Sequence, residues 1–251
     1  MKKFLAFTLS EVLVTVGIIG VIAALTVPNL VKNYQKQAQT VQLRKTINEL
    51  EDALDLLITE EGKTSLAQTS FVDEGGIANF FNNHLRVIKT CSSTNTSSCF
   101  ANQNYISING SQNRSFTCSG NSYVLADSST VCASRITSVP IEAEKDGVAI
   151  EGAFQTAIGY NVELYIDTNG AQAPNIGGRD MFHVYVRPDG KIADTVQVNN
   201  NICTMQDGVP VCVAPSSDDS IVIKPGRDCV ASALGTGCLT NILNNNWNMN
   251  Y

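Results

Sequence analysis

The stretch that decides the fold is residues 7–28, FTLSEVLVTVGIIGVIAALTVP, in which an apolar run follows Glu11 and stops at Pro28. From Phe7 to Val27 the segment has 21 residues. As an α-helix it spans about 30 Å, the thickness of the hydrocarbon core of a bilayer. The sequence therefore predicts a membrane-spanning helix over residues 7–27.

Two lysines, Lys2 and Lys3, precede the apolar run. By the positive-inside rule they hold the N-terminus in the cytoplasm, so the chain after Pro28 is delivered outside. We therefore expect a single-pass precursor in the cytoplasmic (inner) membrane, with an extracytoplasmic C-terminal part.

The apolar run has three interpretations. A cleaved secretory signal is disfavoured because no A-x-A site follows the run and an amphipathic pattern continues through it. A plain membrane anchor explains the run but not Glu11, because a lone carboxylate costs about 2.5–3.5 kcal/mol at the centre of a membrane helix. Glu11 is therefore a candidate functional residue, unless its side chain only reaches the membrane surface.

The third interpretation rests on a resemblance. A leader ending in Ala6, the segment from Phe7 to Glu11 and an apolar helix containing Pro28 resemble the N-terminal signature of the type IV pilin and type II secretion pseudopilin family. The resemblance implies that a prepilin peptidase cuts between Ala6 and Phe7 and methylates the new amine on Phe7. The apolar helix is then retained in the mature protein.

The same resemblance implies a structural subunit of a type IV pilus-like or type II secretion pseudopilus filament. Its partners would be other pilin or pseudopilin subunits, the prepilin peptidase and an inner-membrane assembly platform. The mature protein would end in a periplasmic or cell-surface filament. The alternative from another class is a membrane-anchored extracytoplasmic binding domain, in one version calcium-dependent, that does not polymerise.

Glu11 and Pro28 have a physical rationale in such a filament. A cut after Ala6 leaves a positive amine at the head of an apolar helix. When helices pack side by side, Glu11 of a neighbouring helix neutralises that amine in a low-dielectric environment and so sets the axial stagger. Pro28 removes a backbone donor, and we expect it to kink or locally unwind the helix.

Helical spacing persists beyond Pro28. Apolar residues recur at steps of four and three until Gly62, a natural helix C-cap; these residues are Leu43, Ile47, Leu50, Leu54 and Leu57. We predict one helix from about Phe7 to Glu61. The chain then divides into a leader (1–6), a transmembrane or filament-core helix (7–27), its amphipathic continuation (28–61) and an extracytoplasmic globular domain (62–251).

The globular part carries strand signals, and its predicted class is α+β. A long helix packs on a C-terminal antiparallel sheet, as in pilins, with disulfide-rich loops. The expected elements are a short helix at Ile77–Val87, an isolated strand near Ser122–Ala126, strands at Gly147–Glu151, Gly159–Asp167 and Met181–Arg187, another strand from Lys191, and a helical stripe in Leu239–Tyr251.

The eight cysteines indicate disulfides formed in an oxidising compartment. Close CxxC spacing is absent, which disfavours a zinc site, and reduced buried thiols are the remaining alternative. The sequence does not fix the pairing, although short-range pairs such as Cys91–Cys99 and Cys203–Cys212 are favoured. The others are Cys118, Cys132, Cys229 and Cys238.

Asp167, Asn169 and Gly170 match the opening of a calcium-binding loop, with Asn175 and Asp180 downstream. The EF-hand pattern then fails, because alanine and glycine stand where further ligands are required. Some pseudopilins hold calcium beside their C-terminal strands, so the resemblance implies a non-EF site made by Asp167, Asn169 and Asp180. A metal-free hydrogen-bonded turn is the alternative.

Charge and motifs exclude other classes of function. The net charge is −6 and no basic cluster relieves it, so a nucleic-acid partner is not expected. The sequence lacks the GxSxG, P-loop, HExxH and GxGxxG motifs, and His183 has no visible nucleophile beside it. We therefore expect neither catalytic residues nor a required cofactor.

Overall fold

The computed structural model describes residues 8–214, 221–223 and 228–251. Its dominant element is helix α1, Leu9–Glu60, which has 52 residues. Thr8 is the N-cap, and its hydroxyl accepts the Glu11 main-chain N–H while the Glu11 carboxylate accepts the Thr8 N–H at 2.9 Å. This reciprocal capping box satisfies two donors that the first helical turn leaves open.

The end of α1 is where the sequence predicts it. Gly62 adopts a left-handed φ of 62°. Its N–H donates to the Thr59 carbonyl, and the N–H of Lys63 donates to the Ile58 carbonyl at 2.9 Å. This is a Schellman arrangement, which requires a residue that tolerates positive φ just after the helix.

Pro28 lies inside α1 without interrupting it. Of the two alternatives expected at Pro28, local unwinding is therefore absent from this structure, and a kink stays a prediction. Proline removes one main-chain donor, whereas the remaining residues of a 52-residue helix keep their own hydrogen bonds. The helix therefore continues from the apolar segment into the globular part.

Two further α-helices and thirteen β-strands follow α1 in the described residues. They are α2 (Gly76–His84), β1 (Val87–Cys91), β2 (Tyr105–Ile106), β3 (Asn113–Arg114), β4 (Asn121–Leu125), β5 (Thr130–Pro140), β6 (Ala143–Lys145), β7 (Val148–Ala149), β8 (Phe154–Asp167), β9 (Met181–Val186), β10 (Ile192–Ala193), β11 (Ile202–Gln206), β12 (Val209–Val213), β13 (Ile221–Ile223) and α3 (Cys238–Asn244).

The main sheet is antiparallel and runs in the order β1-β4-β5-β8-β11-β12. The first half of β8 reaches β11, and its second half pairs with β9, which in turn pairs with β10. The longest pairing joins β5 to β8, from Thr130 opposite Asp167 to Pro140 opposite Phe154. These connections confirm the α+β class, with a long helix followed by an antiparallel sheet.

The core lies between one stripe of α1 and one face of the sheet. The five predicted apolar positions of α1, Leu43 through Leu57, are each 5% exposed or less. They share one cluster with the side chains of β8 and β9 that face the helix: Val162, Leu164, Ile166, Phe182, Val184 and Val186. Alternate residues of a strand point to one face, so this face of β8 and β9 is apolar.

All eight cysteines are paired. The disulfides are Cys91–Cys99, Cys118–Cys132, Cys203–Cys212 and Cys229–Cys238. The two short-range pairs favoured from the sequence are therefore confirmed, and the alternative of reduced thiols is wrong for this structure.

Several predicted elements differ in extent or context. The second helix ends at His84, and Val87 begins a strand instead. The strand near Ser122 is not isolated, because β4 lies between β1 and β5. The C-terminal helix stops at Asn244, because Asn246 and Trp247 adopt positive φ.

Candidate functional site

Two regions hold the predicted functional residues. One is the start of α1, where Ala6 and Phe7 lie outside the described residues. The other is the segment from Asp167 to Asp180, which connects β8 to β9 and is called the β8–β9 loop below.

Glu11 lies in the third position of α1, exposed to the surroundings. Its Oε2 accepts hydrogen bonds from the Thr8 N–H at 2.9 Å and from the Thr8 hydroxyl at 2.8 Å. The carboxylate therefore has a local partner at the helix start. A cation from another molecule would have to share this carboxylate with Thr8 or displace it.

The helix surface around Glu11 is apolar and exposed. Leu13 is 65% exposed and Leu25 is 71% exposed. The other large apolar side chains from Leu9 to Val31 are exposed as well. Among the described residues, α1 is the one helix that is long and apolar enough to cross a membrane. A single-pass membrane anchor is consistent with this surface.

The β8–β9 loop is folded back on itself. The Thr168 N–H donates to the Asp180 carbonyl at 2.8 Å, and the Gly178 N–H donates to the Met181 carbonyl at 2.7 Å. The loop also packs tightly on the C-terminal disulfide: a Cβ on Gly178 would lie 2.5 Å from the sulfur of Cys238. Only glycine fits that position, since its φ is also 81°.

The two ends of the loop carry fully buried carboxylates, since Asp167 and Asp180 are both 0% exposed. Asp167 Oδ2 accepts the Tyr105 hydroxyl at 2.5 Å, and Oδ1 accepts the Asn169 N–H at 3.2 Å. Asp180 Oδ1 accepts the Ile176 N–H at 2.6 Å. The predicted set of Asp167, Asn169 and Asp180 is therefore gathered in one closed loop.

Burial, followed by the charge of Asp180, raises the pKa of Asp167 well above its ordinary value. Burial also raises the pKa of Asp180 to about 7, although main-chain donors led by Ile176 and the charge of Arg179 act in the opposite direction. The loop therefore contains two carboxyl groups whose simultaneous ionisation is unfavourable without a counter-charge.

Three side-chain oxygens in this part of the described chain are buried and accept no hydrogen bond: Asn169 Oδ1, Asn175 Oδ1 and Asp180 Oδ2. A buried acceptor without a donor costs free energy comparable to a lost hydrogen bond. Carboxylate and amide oxygens are the ligands that calcium prefers. By the chemistry of their donor atoms the residues present thus fit a hard divalent cation, which Asp167, Asn169, Asn175 and Asp180 would hold.

The described residues contain no group of three His, Cys, Asp or Glu side chains placed to hold a metal. The β8–β9 loop offers two carboxylates, and its other oxygen donors are amides, as is usual in calcium sites. Sequence reasoning placed Asn175 near the loop without counting it among the ligands, and it missed Tyr105. An orphaned acceptor is visible only after folding, and Tyr105 lies 62 residues from the carboxylate that it contacts.

A second polar cluster lies on the face of the sheet away from α1. His183 Nε2 lies 2.8 Å from Glu163 Oε1, and its Nδ1 lies 3.1 Å from the Thr236 hydroxyl. The ring is stacked on Tyr165 with centroids 4.4 Å apart. These contacts join β8 and β9 to the segment before α3, which agrees with a structural role for His183.

Comparison of the chain with family models, curated proteins and solved structures gives no significant match.

Proposed function

We propose that the chain is a membrane-anchored subunit of an extracytoplasmic filament of the type IV pilus or type II secretion pseudopilus kind. The observation that carries the proposal is the apolar surface of α1 from Leu9 to Val31, which the globular part leaves uncovered. An apolar helix of this length needs a bilayer or other apolar helices around it. In this proposal the bilayer surrounds the helix before assembly, and the apolar helices of the filament core surround it afterwards.

The continuity of α1 supports this proposal. The same helix that would lie in the bilayer carries the stripe from Leu43 to Leu57 that packs on the sheet. No loop separates the two parts, so movement of the apolar half displaces the globular part with it. This is the mechanical link that a polymer built by helix packing needs.

In this proposal, Glu11 determines which alignment of neighbouring helices is accepted. Removal of residues 1–6 would leave an amine on Phe7, next to the N-cap residue Thr8. In a bundle of such helices, the Glu11 carboxylate of one copy neutralises the amine of another. An unpaired charge in a dry helix bundle costs several kcal/mol, so only a correctly staggered neighbour is accepted.

Glu11→Gln tests the proposal. The variant keeps the shape and a hydrogen-bond acceptor for the Thr8 N–H but removes the charge. We expect membrane insertion and the globular fold to persist while filament yield falls by at least tenfold, as counted by electron microscopy of sheared cells. Asp52→Asn is the matched control, since Asp52 is an exposed carboxylate on the same helix. Normal filaments with Glu11→Gln contradict the proposal.

The mature N-terminus gives an independent test. Mass spectrometry of the purified chain should find Phe7 as the first residue, carrying a methylated amine. A chain that begins at Met1, or one that has lost the whole apolar segment, contradicts the filament assignment.

We propose a second property, calcium binding by the β8–β9 loop. It is supported by the two buried carboxylates of Asp167 and Asp180, the second with an unpartnered oxygen, and by the unpartnered amide oxygens of Asn169 and Asn175. Bound calcium would supply positive charge to Asp167 and Asp180 and a partner to the amide oxygens of Asn169 and Asn175. The same property suits the alternative function, an anchored calcium-dependent domain that does not polymerise, and the Glu11→Gln filament count separates the two.

Calorimetric titration of the chelator-treated full chain in detergent with CaCl₂ tests this second proposal. We expect one saturable site, and Asp180→Asn should weaken binding by about tenfold or more because calcium affinity follows ligand charge. Asp194→Asn is the control, since Asp194 is also buried with an unpartnered oxygen but lies outside the loop. Absence of a saturable calcium site contradicts the proposal.

A further inference from the structure

The hairpin of residues 105–114, formed by β2 and β3, has too little structure to be stable alone. Each strand has two residues, and the sheet that they form has no third strand. Isolated two-stranded hairpins are marginally stable in water even when longer. The order of this hairpin must therefore come from what it is attached to.

The hairpin is attached both to the segment of residues 230–233 and to the β8–β9 loop. The Ile106 N–H donates to the Asn175 carbonyl at 3.0 Å, and the Gly177 N–H donates back to the Ile106 carbonyl at 3.0 Å. The Tyr105 hydroxyl donates to Asp167 Oδ2 at 2.5 Å. Two of the residues suited to hold a cation, Asp167 and Asn175, are thus also the residues that hold the hairpin.

The Tyr105 ring is fixed from the other side. It is 0% exposed and belongs to a small core with Phe100 and the disulfides Cys91–Cys99 and Cys118–Cys132. Phe116 meets the ring edge-on, with centroids 6.2 Å apart. The ring position is therefore set by the disulfide-bonded part of the chain, and its hydroxyl holds the Asp167 carboxylate in one orientation.

We propose that Tyr105 is a positioning residue of the cation loop and that cation binding orders the hairpin of residues 105–114. This inference rests on the calcium proposal. It adds that cation binding in the buried loop changes the order of a hairpin at the surface. A cation draws the Asp167 carboxylate and the Asn175 amide toward one centre. The hairpin is bound to the carboxylate of Asp167 and to the carbonyl of Asn175, so the two become ordered together.

The consequence lies at the surface. The hairpin belongs to residues 92–120, a Ser- and Asn-rich segment whose only charged residue is Arg114. Most of its residues are exposed. Calcium bound in the buried loop therefore controls the shape of an exposed, nearly uncharged surface that it does not touch.

Hydrogen exchange of the full chain in detergent, with CaCl₂ or with chelator, tests the coupling. In the wild type, calcium should slow exchange of the Ile106 and Gly177 amides by at least tenfold. Tyr105→Phe should lower calcium affinity by about tenfold, the usual cost of removing a group that orients a metal ligand. It should also reduce the calcium-dependent protection of the hairpin.

Tyr165→Phe is the matched control. Tyr165 is another largely buried tyrosine whose hydroxyl donates to a carboxylate, that of Glu163, at 3.1 Å. Calcium affinity and hairpin exchange should stay at wild-type values in that variant. The hydrogen-exchange comparison of the wild type with and without calcium does not depend on whether any variant folds.

The outcomes separate the linked proposals. Calcium binding in the wild type without altered exchange at residues 105–114 overturns the coupling and leaves the calcium site standing. Tyr105→Phe with wild-type affinity overturns the positioning role. Absence of calcium binding overturns the coupling and the calcium site together, while the filament count with Glu11→Gln is independent of all three.

Discussion

The two halves of α1 follow the same helical geometry in opposite environments. From Leu9 to Val31 the large apolar side chains are exposed on every side of the helix. From Thr40 to Leu57, one apolar stripe is buried in the core that α1 shares with the sheet. The first half is thus shaped for partners outside the chain and the second for partners within it.

The comparison shows how one helix can have two halves that are stable in different environments. An all-round apolar surface is stable only in lipid or among other helices, whereas an amphipathic one is stable at the boundary between a core and water. The change of pattern after Pro28 therefore marks a change of environment rather than of secondary structure, and the helix passes through it unbroken.

The largest expected difference between the halves concerns core leucines. Leu54 is 1% exposed, whereas Leu25 is 71% exposed. Leu54→Ala should lower the free energy of unfolding of the globular part by about 3 kcal/mol, through lost burial and the cavity left behind. Leu25→Ala should leave that free energy unchanged. Chemical denaturation of the full chain in detergent measures both, and equal losses contradict the division of α1.

A glycine in the globular part and one in the apolar half of α1 extend the comparison, with a smaller expected effect on stability. Gly178 has a φ of 81° and a sulfur where a Cβ would go, whereas Gly17 in the apolar half has nothing within 4 Å. Gly178→Ala should destabilise the globular part by about 2 kcal/mol, from backbone strain and the clash with Cys238. Gly17→Ala should not affect it. Thermal unfolding followed by circular dichroism distinguishes them; an unaltered melting temperature in Gly178→Ala would contradict the packing of the loop on the disulfide.

The smallest expected effect is a dependence on pH that belongs to the globular part alone. Burial raises the pKa of Glu163, but hydrogen bonds from His183, Tyr165 and Ser134 outweigh burial and leave it below its ordinary value. A lowered pKa stabilises the fold above the unfolded value, near 4.5, and this contribution is lost as pH falls through the folded value. Glu163→Gln should therefore lose less melting temperature between pH 5 and pH 3 than the wild type does. Equal losses in both chains would show that Glu163 makes no such contribution.

The features that the sequence predicted correctly depend on local pattern. The bounds of α1, its buried stripe and its glycine cap follow from spacing along one helix. The pairs Cys91–Cys99 and Cys203–Cys212 join residues 8 and 9 positions apart. Asp167 and Asp180 lie in one loop because they are close in sequence, whereas metal binding there stays a proposal.

The features that were missed depend on distant contacts. Strand β5 is rich in Ser and Thr and was not predicted, because its stability comes from pairing with β8, more than ten residues away. Strand β4 is likewise an interior strand because it pairs with β1 on one side and β5 on the other. The contact of Tyr105 with Asp167 joins two parts of the chain that no periodicity relates.

The short spans of the four disulfides have a consequence for biogenesis. Each bond closes a ring of residues separated by 8 to 14 positions, and rings of this size stabilise a fold by about 3 kcal/mol each in the chain-entropy view. In the proposed membrane topology, both cysteines of every pair would reach the oxidising side of the membrane almost together. Oxidation would then proceed pair by pair during export, while α1 holds the emerging polypeptide at the membrane.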